Sequence, residues 1–289
     1  MNKMKLGMET CTTAGRFGEA KAVEMFHEAG FDCFDFSFFS DHMVDCLGRG
    51  TAMEVINDVR AVMERVGICC NQTHAPMKFR FGDRMELDEP SYGVTVRAME
   101  CAAALGAKYI VVHSILTPAG VELVDYNLRF FKSLEKYCEK YNIQIGFENI
   151  FDYDPYKRCM PRFATARSMN DMLDRLASPW FVCCCDVGHA AIAGTKPEDF
   201  IRGMSKDTLR LLHIQDTDYM DDLHLLPYMA KQNWDEITSA LAEIGYEGDF
   251  TFEIGKFFRP MENEMFPAAL RFAEATGRHL IGKIEKARG

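Results

Sequence analysis

Short apolar runs punctuate the chain at residues 4–10, 31–37, 68–74, 108–114, 143–149, 181–186, 209–214 and 249–254. Most are rich in β-branched or aromatic residues, and each is short enough for a buried parallel strand. Between them, apolar residues return at helical spacing. Val55, Val59, Val62 and Val66 fall on one face of a helix in one segment, and Trp234, Ile237, Leu241 and Ile244 do so in another. Thr195 with Glu198 reads as a capping box, and Asn233 with Glu236 as a close variant. Gly30, Gly67, Gly106 and Gly245 stand where helices end before the next strand. Eight β–α units with no break in composition predict one α/β domain over residues 1–289, a single (β/α)8 TIM barrel with eight parallel strands. A doubly wound open sheet would often carry a glycine-rich phosphate loop after its first strand, and Met8-Glu9-Thr10-Cys11 is no such loop.

Several of these runs end in a residue that does not belong in an apolar strand. His74, His113, Glu148, Asp186 and Glu253 each close one, and His213 lies near the end of another. A closed barrel whose strand ends converge on one bound cation explains them all, because reactive groups gather at the carboxyl face of barrel strands. Glu148, Asp186, His213 and Glu253 are 38, 27 and 40 residues apart, close to one β–α repeat. Three carboxylates and an imidazole suit Mn²⁺ or Mg²⁺, or Zn²⁺ if more imidazoles join. Without a cation, three packed carboxylates would repel one another. The plainer reading, that each caps a strand or pairs with a loop Arg, must hold four times in register. His74, His113 and His189 are candidate substrate contacts, and Asp222 with His224 could add a further metal position. His27, His42 and His279 read as surface residues. The longer connections 75–88, 150–164 and 215–232 all follow strands, so they would cover substrate on that same face.

Composition narrows the function class. A net charge of −10 argues against a nucleic-acid backbone as the main partner. Eleven cysteines, an odd number, include Cys69, Cys70, Cys183, Cys184 and Cys185 within apolar runs, which fits buried free thiols in a reducing compartment. The chain lacks any run of about 18 apolar residues that would span a membrane. Its start has no apolar signal region, so a cytoplasmic location is the expectation.

The motifs Gly146-Phe147-Glu148-Asn149, Asp186-Val187-Gly188-His189, His213-Ile214-Gln215-Asp216 and Trp234-Asp235-Glu236-Ile237, followed by Gly245-Tyr246-Glu247-Gly248 and Phe252-Glu253, run through the second half of the chain. In these the chain resembles the xylose isomerase-like TIM barrel superfamily, in the branch of sugar isomerases and epimerases that includes ketose 3-epimerases and hydroxypyruvate isomerases. The resemblance implies that Glu148, Asp186, His213 and Glu253 hold one divalent metal ion. It also implies a small-molecule sugar or sugar-derivative substrate and an enediolate stabilised by the ion. Glu148 and Glu253 would be the catalytic pair that removes and returns the proton, with His189 steadying a substrate oxygen. A homodimer or homotetramer is common in that branch. Two positions depart from the ketose 3-epimerase pattern: Tyr219 stands where an Arg usually follows the metal-binding His, and residues 226–234 lack the usual glycine-rich turn. The same superfamily contains apurinic-site endonucleases with three zinc ions. Their ligand pattern is matched here by His74, His113, Glu148, Asp186, His189, His213, Asp222, His224 and Glu253. Lys78, Arg80, Arg84, Lys157, Arg158 and Arg162 lie in loops that could meet an anionic substrate.

Overall fold

The computed structural model describes residues 3–77, 90–117, 121–154, 156 and 158–288. Its strands are β1 (Leu6–Glu9), β2 (Cys33–Ser37), β3 (Cys69–His74), β4 (Tyr109–His113), β5 (Gln144–Glu148), β6 (Ile150–Tyr153), β7 (Cys159–Arg162), β8 (Phe181–Asp186), β9 (Leu209–His213) and β10 (Phe250–Phe252). Each of the apolar runs predicted as a strand forms one. They join in one parallel sheet in the order β10-β1-β2-β3-β4-β5-β8-β9. The ring is completed where the Ile214 N–H donates to the Thr251 carbonyl at 2.9 Å and the Glu253 N–H donates to the Ile214 carbonyl at 3.0 Å. This is the (β/α)8 barrel expected from the alternating pattern.

Register then sets the height of each side chain. Ser37 pairs with His74, His113 with Glu148, and Asp186 with His213. These residues therefore stand side by side at the carboxyl rim, because parallel neighbours in one register point to the same level. Two irregularities interrupt the register. Asn71 has no partner between Cys70 and Gln72 on β3, and Arg210 has none between Leu209 and Leu211 on β9. Such bulges re-aim side chains.

Helices wrap the outside, and most of the apolar core lies between them and the strands. Phe131 packs edge-on against both Phe147 and Phe181, with ring centroids 4.8 and 6.1 Å apart. Inside the barrel, Val111, Val182, Cys184 and Leu211 form a smaller cluster. The long helix Phe266–Ala287 crosses β1 at Gly277, where an added Cβ would strike Leu6. All eleven cysteines are free thiols; eight are buried, while Cys11, Cys69 and Cys159 are partly exposed. Among the described residues no helix is long and apolar enough to cross a membrane.

Three local expectations need correction. Thr195 does not cap a helix: the helix runs Pro197–Arg202, with extended Lys196 before it. Proline favours the first helical position and forces its predecessor into extended backbone, so Pro197 sets the boundary. Asn233 does cap its helix, accepting from the Glu236 N–H at 3.2 Å, but the Glu236 carboxylate turns to Arg202 instead of completing a box. Residues 150–164 are not a simple loop, because β6 and β7 pair as an antiparallel hairpin from Ile150↔Arg162 to Tyr153↔Cys159.

Candidate metal centre

Glu148, Asp186, His213 and Glu253 are all buried, and one ligand atom from each lies within 4.8 Å of the others. They arrive from β5, β8, β9 and the residue following β10. His213 Nδ1 lies 3.2 Å from Glu148 Oε1 and 3.2 Å from Glu253 Oε2. Its other nitrogen, Nε2, faces Asp35 Oδ2 at 3.2 Å, so the ring is held between a carboxylate behind it and the cluster in front. Asp35 also accepts from Gln72 Nε2 at 2.8 Å. Asp186 is fixed from several sides. Its carboxylate accepts from the His189 N–H at 2.7 Å and from the Gln215 amide at 3.1 Å, while its backbone N–H and carbonyl are clamped by the Asn149 side chain. Gly188 makes room for this arrangement, since an added Cβ would fall on the Gln215 amide.

The five histidines predicted at this face converge. His113 Nε2 is 2.8 Å and His74 Nε2 3.4 Å from Glu148 Oε2, and the two rings face each other at 3.1 Å. His189, Asp222 and His224 form a further cluster, with Asp222 Oδ2 2.9 Å from His224 Nε2. His74 Nδ1 donates to the Ala75 carbonyl at 2.8 Å, His189 Nδ1 to that of Asn149 at 3.1 Å, and His224 Nδ1 to that of Glu253 at 3.0 Å. A nitrogen facing a carbonyl must carry the hydrogen, so Nε2 of each ring is the atom turned to the carboxylates and the one able to bind an ion once its proton is displaced. That is the orientation a metal ligand needs. His27, His42 and His279 lie exposed on the surface, as read from the sequence.

Electrostatics sharpen the picture. Burial favours the neutral form of Glu148, but His213, His113 and His189 outweigh it and hold the carboxyl well below its usual range. Burial raises Glu253, and His213 and His224 only partly offset it. Burial pushes His113 down to about 4. For His224 burial is outweighed by Glu253 and Asp222, which lift it to about 9. Glu253 Oε2 is buried without a hydrogen bond. It does lie 3.2 Å from His213 Nδ1, but that contact lacks hydrogen-bond alignment. A buried, under-satisfied oxygen amid further carboxylates and imidazole nitrogens is a donor set that could hold a divalent cation.

A cavity of about 290 Å³ opens above this set, lined by His113, His189, Asp222, His224 and Glu253 on one side and by Phe151 and Tyr153 of the hairpin on the other. Among the described residues, the hairpin's two arginines are occupied. Arg158 pairs with Asp154 at 2.6 Å, and Arg162 pairs with Asp152 at 2.9 Å while donating to the Ser114 carbonyl at 2.7 Å. These two residues brace the hairpin instead of reaching into the cavity. Lys78, Arg80, Arg84 and Lys157 lie outside the described residues. Tyr219, in place of an Arg, is exposed on the 215–232 connection with a left-handed backbone (φ 71°).

Three residues near the rim escaped the sequence reading. Glu9 ends β1 and is buried; its carboxylate accepts from the Cys11 N–H and the Ser37 hydroxyl. Burial, aided by the charge of Glu253, pushes it up to about 8. Its signal was the same as for the others, an acid closing an apolar run. Asp35 and Gln215 gave less warning: Asp35 shares its run with Asp32 and Ser37, and Gln215 follows the end of its strand.

The family described as the xylose isomerase-like TIM barrel matches residues 23–275, and the chain belongs to it. An uncharacterized protein of Methanocaldococcus jannaschii is 28% identical over 168 residues, 54% of each chain. The chain thus matches about half the length of its curated relatives. A D-tagatose 3-epimerase-like protein superposes with a TM-score of 0.75 at 20% identity, covering 96% of this chain and 98% of that one. A zinc-bound IolI protein superposes with a TM-score of 0.70 at 18% identity over 98% and 99% of the two chains.

Proposed function

We propose that the protein is a divalent-metal-dependent isomerase or epimerase of a sugar or sugar derivative, acting in the cytoplasm. The observation that carries this reading is the convergence of Glu148, Asp186, His213 and Glu253 beside a small cavity. These four would hold the ion. When bound, it would supply Lewis-acid stabilisation of the negative charge that develops on neighbouring substrate oxygens. The remaining work falls to the chain. Glu148 and Glu253 have environments that push their proton affinities in opposite directions, as an acid–base pair requires. One carboxylate removes the proton beside the carbonyl and the other returns one. Return to the same carbon gives epimerisation, and return to its neighbour gives 1,2-isomerisation. His189 Nε2 and His113 line the cavity and steady substrate hydroxyls, while Phe151 and Tyr153 exclude water. The four-residue set suits Mn²⁺ or Mg²⁺; His74 and His113 beside Glu148 add softer donors that favour Zn²⁺. A homodimer or homotetramer is part of the proposal and is read by light scattering.

The test is a screen of ketoses in heavy water with metal-loaded protein. Deuterium at a single sugar carbon supports the proposal, and no exchange with any sugar sinks it. Glu148→Gln and Glu253→Gln should each lower turnover by about 10²- to 10⁴-fold with an unchanged circular dichroism spectrum. Full activity in either would remove the acid–base assignment.

A second reading rests on the Nε2 atoms of His74, His189 and His224, which are left for an ion because each Nδ1 is held by a backbone carbonyl. With His113 and Asp222 they extend the donor set to the nine positions of a trinuclear site, suited to hydrolysing a phosphodiester at an abasic site. Metal content separates the two. One ion per chain supports the isomerase, whereas three zinc ions with cleavage of abasic DNA support the hydrolase.

A further inference from the structure

The far mouth of the barrel, opposite the carboxylate cluster, also holds a cavity. It measures about 360 Å³, within the usual range for small-molecule sites. Its lining is mainly polar and inverts the sign of the whole molecule. Lys3, Lys5, Lys108 and Arg210 stand against only Glu247 and Asp249, on a chain whose net charge is −10. Both acids are already engaged: Glu247 pairs with Lys206 at 3.4 Å, and Asp249 accepts from the Lys5 backbone N–H at 3.3 Å. The cations are much freer. Lys3 and Lys108 form no ion pair among the described residues, and Lys5 Nζ donates to Cys69 Sγ at 3.2 Å. Arg210 uses only Nε, donating to the Tyr109 hydroxyl at 3.4 Å, so its terminal nitrogens remain available. The two β-bulges place their extra residues, Asn71 and Arg210, in the lining of this cavity. A regular register would have kept both in the alternation of their strands.

We propose that this second mouth binds a small, multiply charged oxyanion, a phosphoryl or dicarboxylate group, gripped by Lys3, Lys5, Lys108 and Arg210. Arg210 presents a planar fork that matches two oxygens at once, and the lysines surround it as mobile point charges. The site lies at the other end of the barrel from the metal donors, so the ligand is an effector or stabiliser and not the substrate.

Cys69 provides a local readout, since its partly exposed thiol lines the cavity. Cys11 and Cys159, the other partly exposed thiols, belong to the metal-bearing half and serve as internal references. The protein is alkylated with iodoacetamide in inorganic phosphate, in succinate, or in sodium chloride of equal ionic strength, and each cysteine is followed by mass spectrometry. Binding is measured in parallel by calorimetry. At a ligand concentration about ten times its Kd, Cys69 labelling should slow by roughly tenfold, with Cys11 and Cys159 unchanged. Lys108→Gln combined with Arg210→Gln should abolish both the protection and the heat of binding. Phosphate protection without succinate protection identifies a phosphoryl site, and the converse a carboxylate site. The proposal is overturned if neither anion gives heat of binding beyond the chloride control. It is equally overturned if binding survives in the double variant, or if Cys11 or Cys159 is shielded as strongly as Cys69.

Discussion

Asp35→Asn removes a charge behind the metal centre while keeping the acceptor of two hydrogen bonds. Asp35 is fully buried, and both of its bonds, from Gln72 at 2.8 Å and His213 at 3.2 Å, converge on Oδ2. Asparagine can keep its carbonyl oxygen at that position, so both donors remain paired and the shape is conserved. What disappears is the charge behind the His213 ring. A hydrogen bond to a carboxylate is roughly twice as strong as one to a neutral acceptor, which makes the difference about 1 to 1.5 kcal/mol. The new amide NH₂ also occupies the place of Oδ1, a buried atom that has no partner to receive it. Together these should weaken metal affinity by about 10- to 100-fold, the usual range for a residue that orients a ligating histidine. The dissociation constant is measured by competition with a chelating dye, and the fold is followed by circular dichroism. An affinity within twofold of the parent, in a folded protein, would refute the claim that Asp35 acts through His213.

Other outcomes follow from the same geometry. Gly188→Ala places a methyl group on the Gln215 amide, so it should cost about 1 to 3 kcal/mol in thermal or urea unfolding and weaken metal binding as Asp186 loses its donor. In chelated protein, Glu9 and His224 both have folded-state values above their unfolded ones, at about 8 and about 9. Their contributions are therefore complete below the unfolded values, about 4.3 and 6.5, and disappear as pH rises through the folded ones; His113, held down to about 4, opposes them below about 6.5, so the melting temperature should fall between about pH 6.5 and pH 9. Glu9→Gln keeps the acceptor for Cys11 and Ser37 but removes the titration; it should raise stability at pH 9 by about 1 to 3 kcal/mol and flatten the profile. An unchanged slope would assign the loss to other groups. Asp222→Asn with His224→Gln should leave Glu148, Asp186, His213 and Glu253 able to bind one ion, so elemental analysis will show whether the His189 cluster holds another.

The alternation of apolar runs and helical spacing was enough to locate all eight barrel strands, because a parallel strand buried on both faces has little room for polar residues. For the same reason an acid or imidazole at the end of such a run was conspicuous, and Glu148, Asp186, His213, Glu253 and their histidine neighbours could be named from their positions in the chain. Spacing could not show which nitrogen of each ring faces the cluster, since that depends on where backbone carbonyls lie after the barrel closes. Nor could it show that Asp35, in the middle of β2, reaches His213 on β9: 178 residues separate them, and only closure makes them neighbours. The hairpin of β6 and β7 was read as a loop, because strands this short and half-exposed have no buried alternation to reveal them. The far cavity was invisible for a related reason. Lys3, Lys5, Lys108 and Arg210 are ordinary scattered charges in the sequence, and only the bulges and the closed ring bring them together around one space.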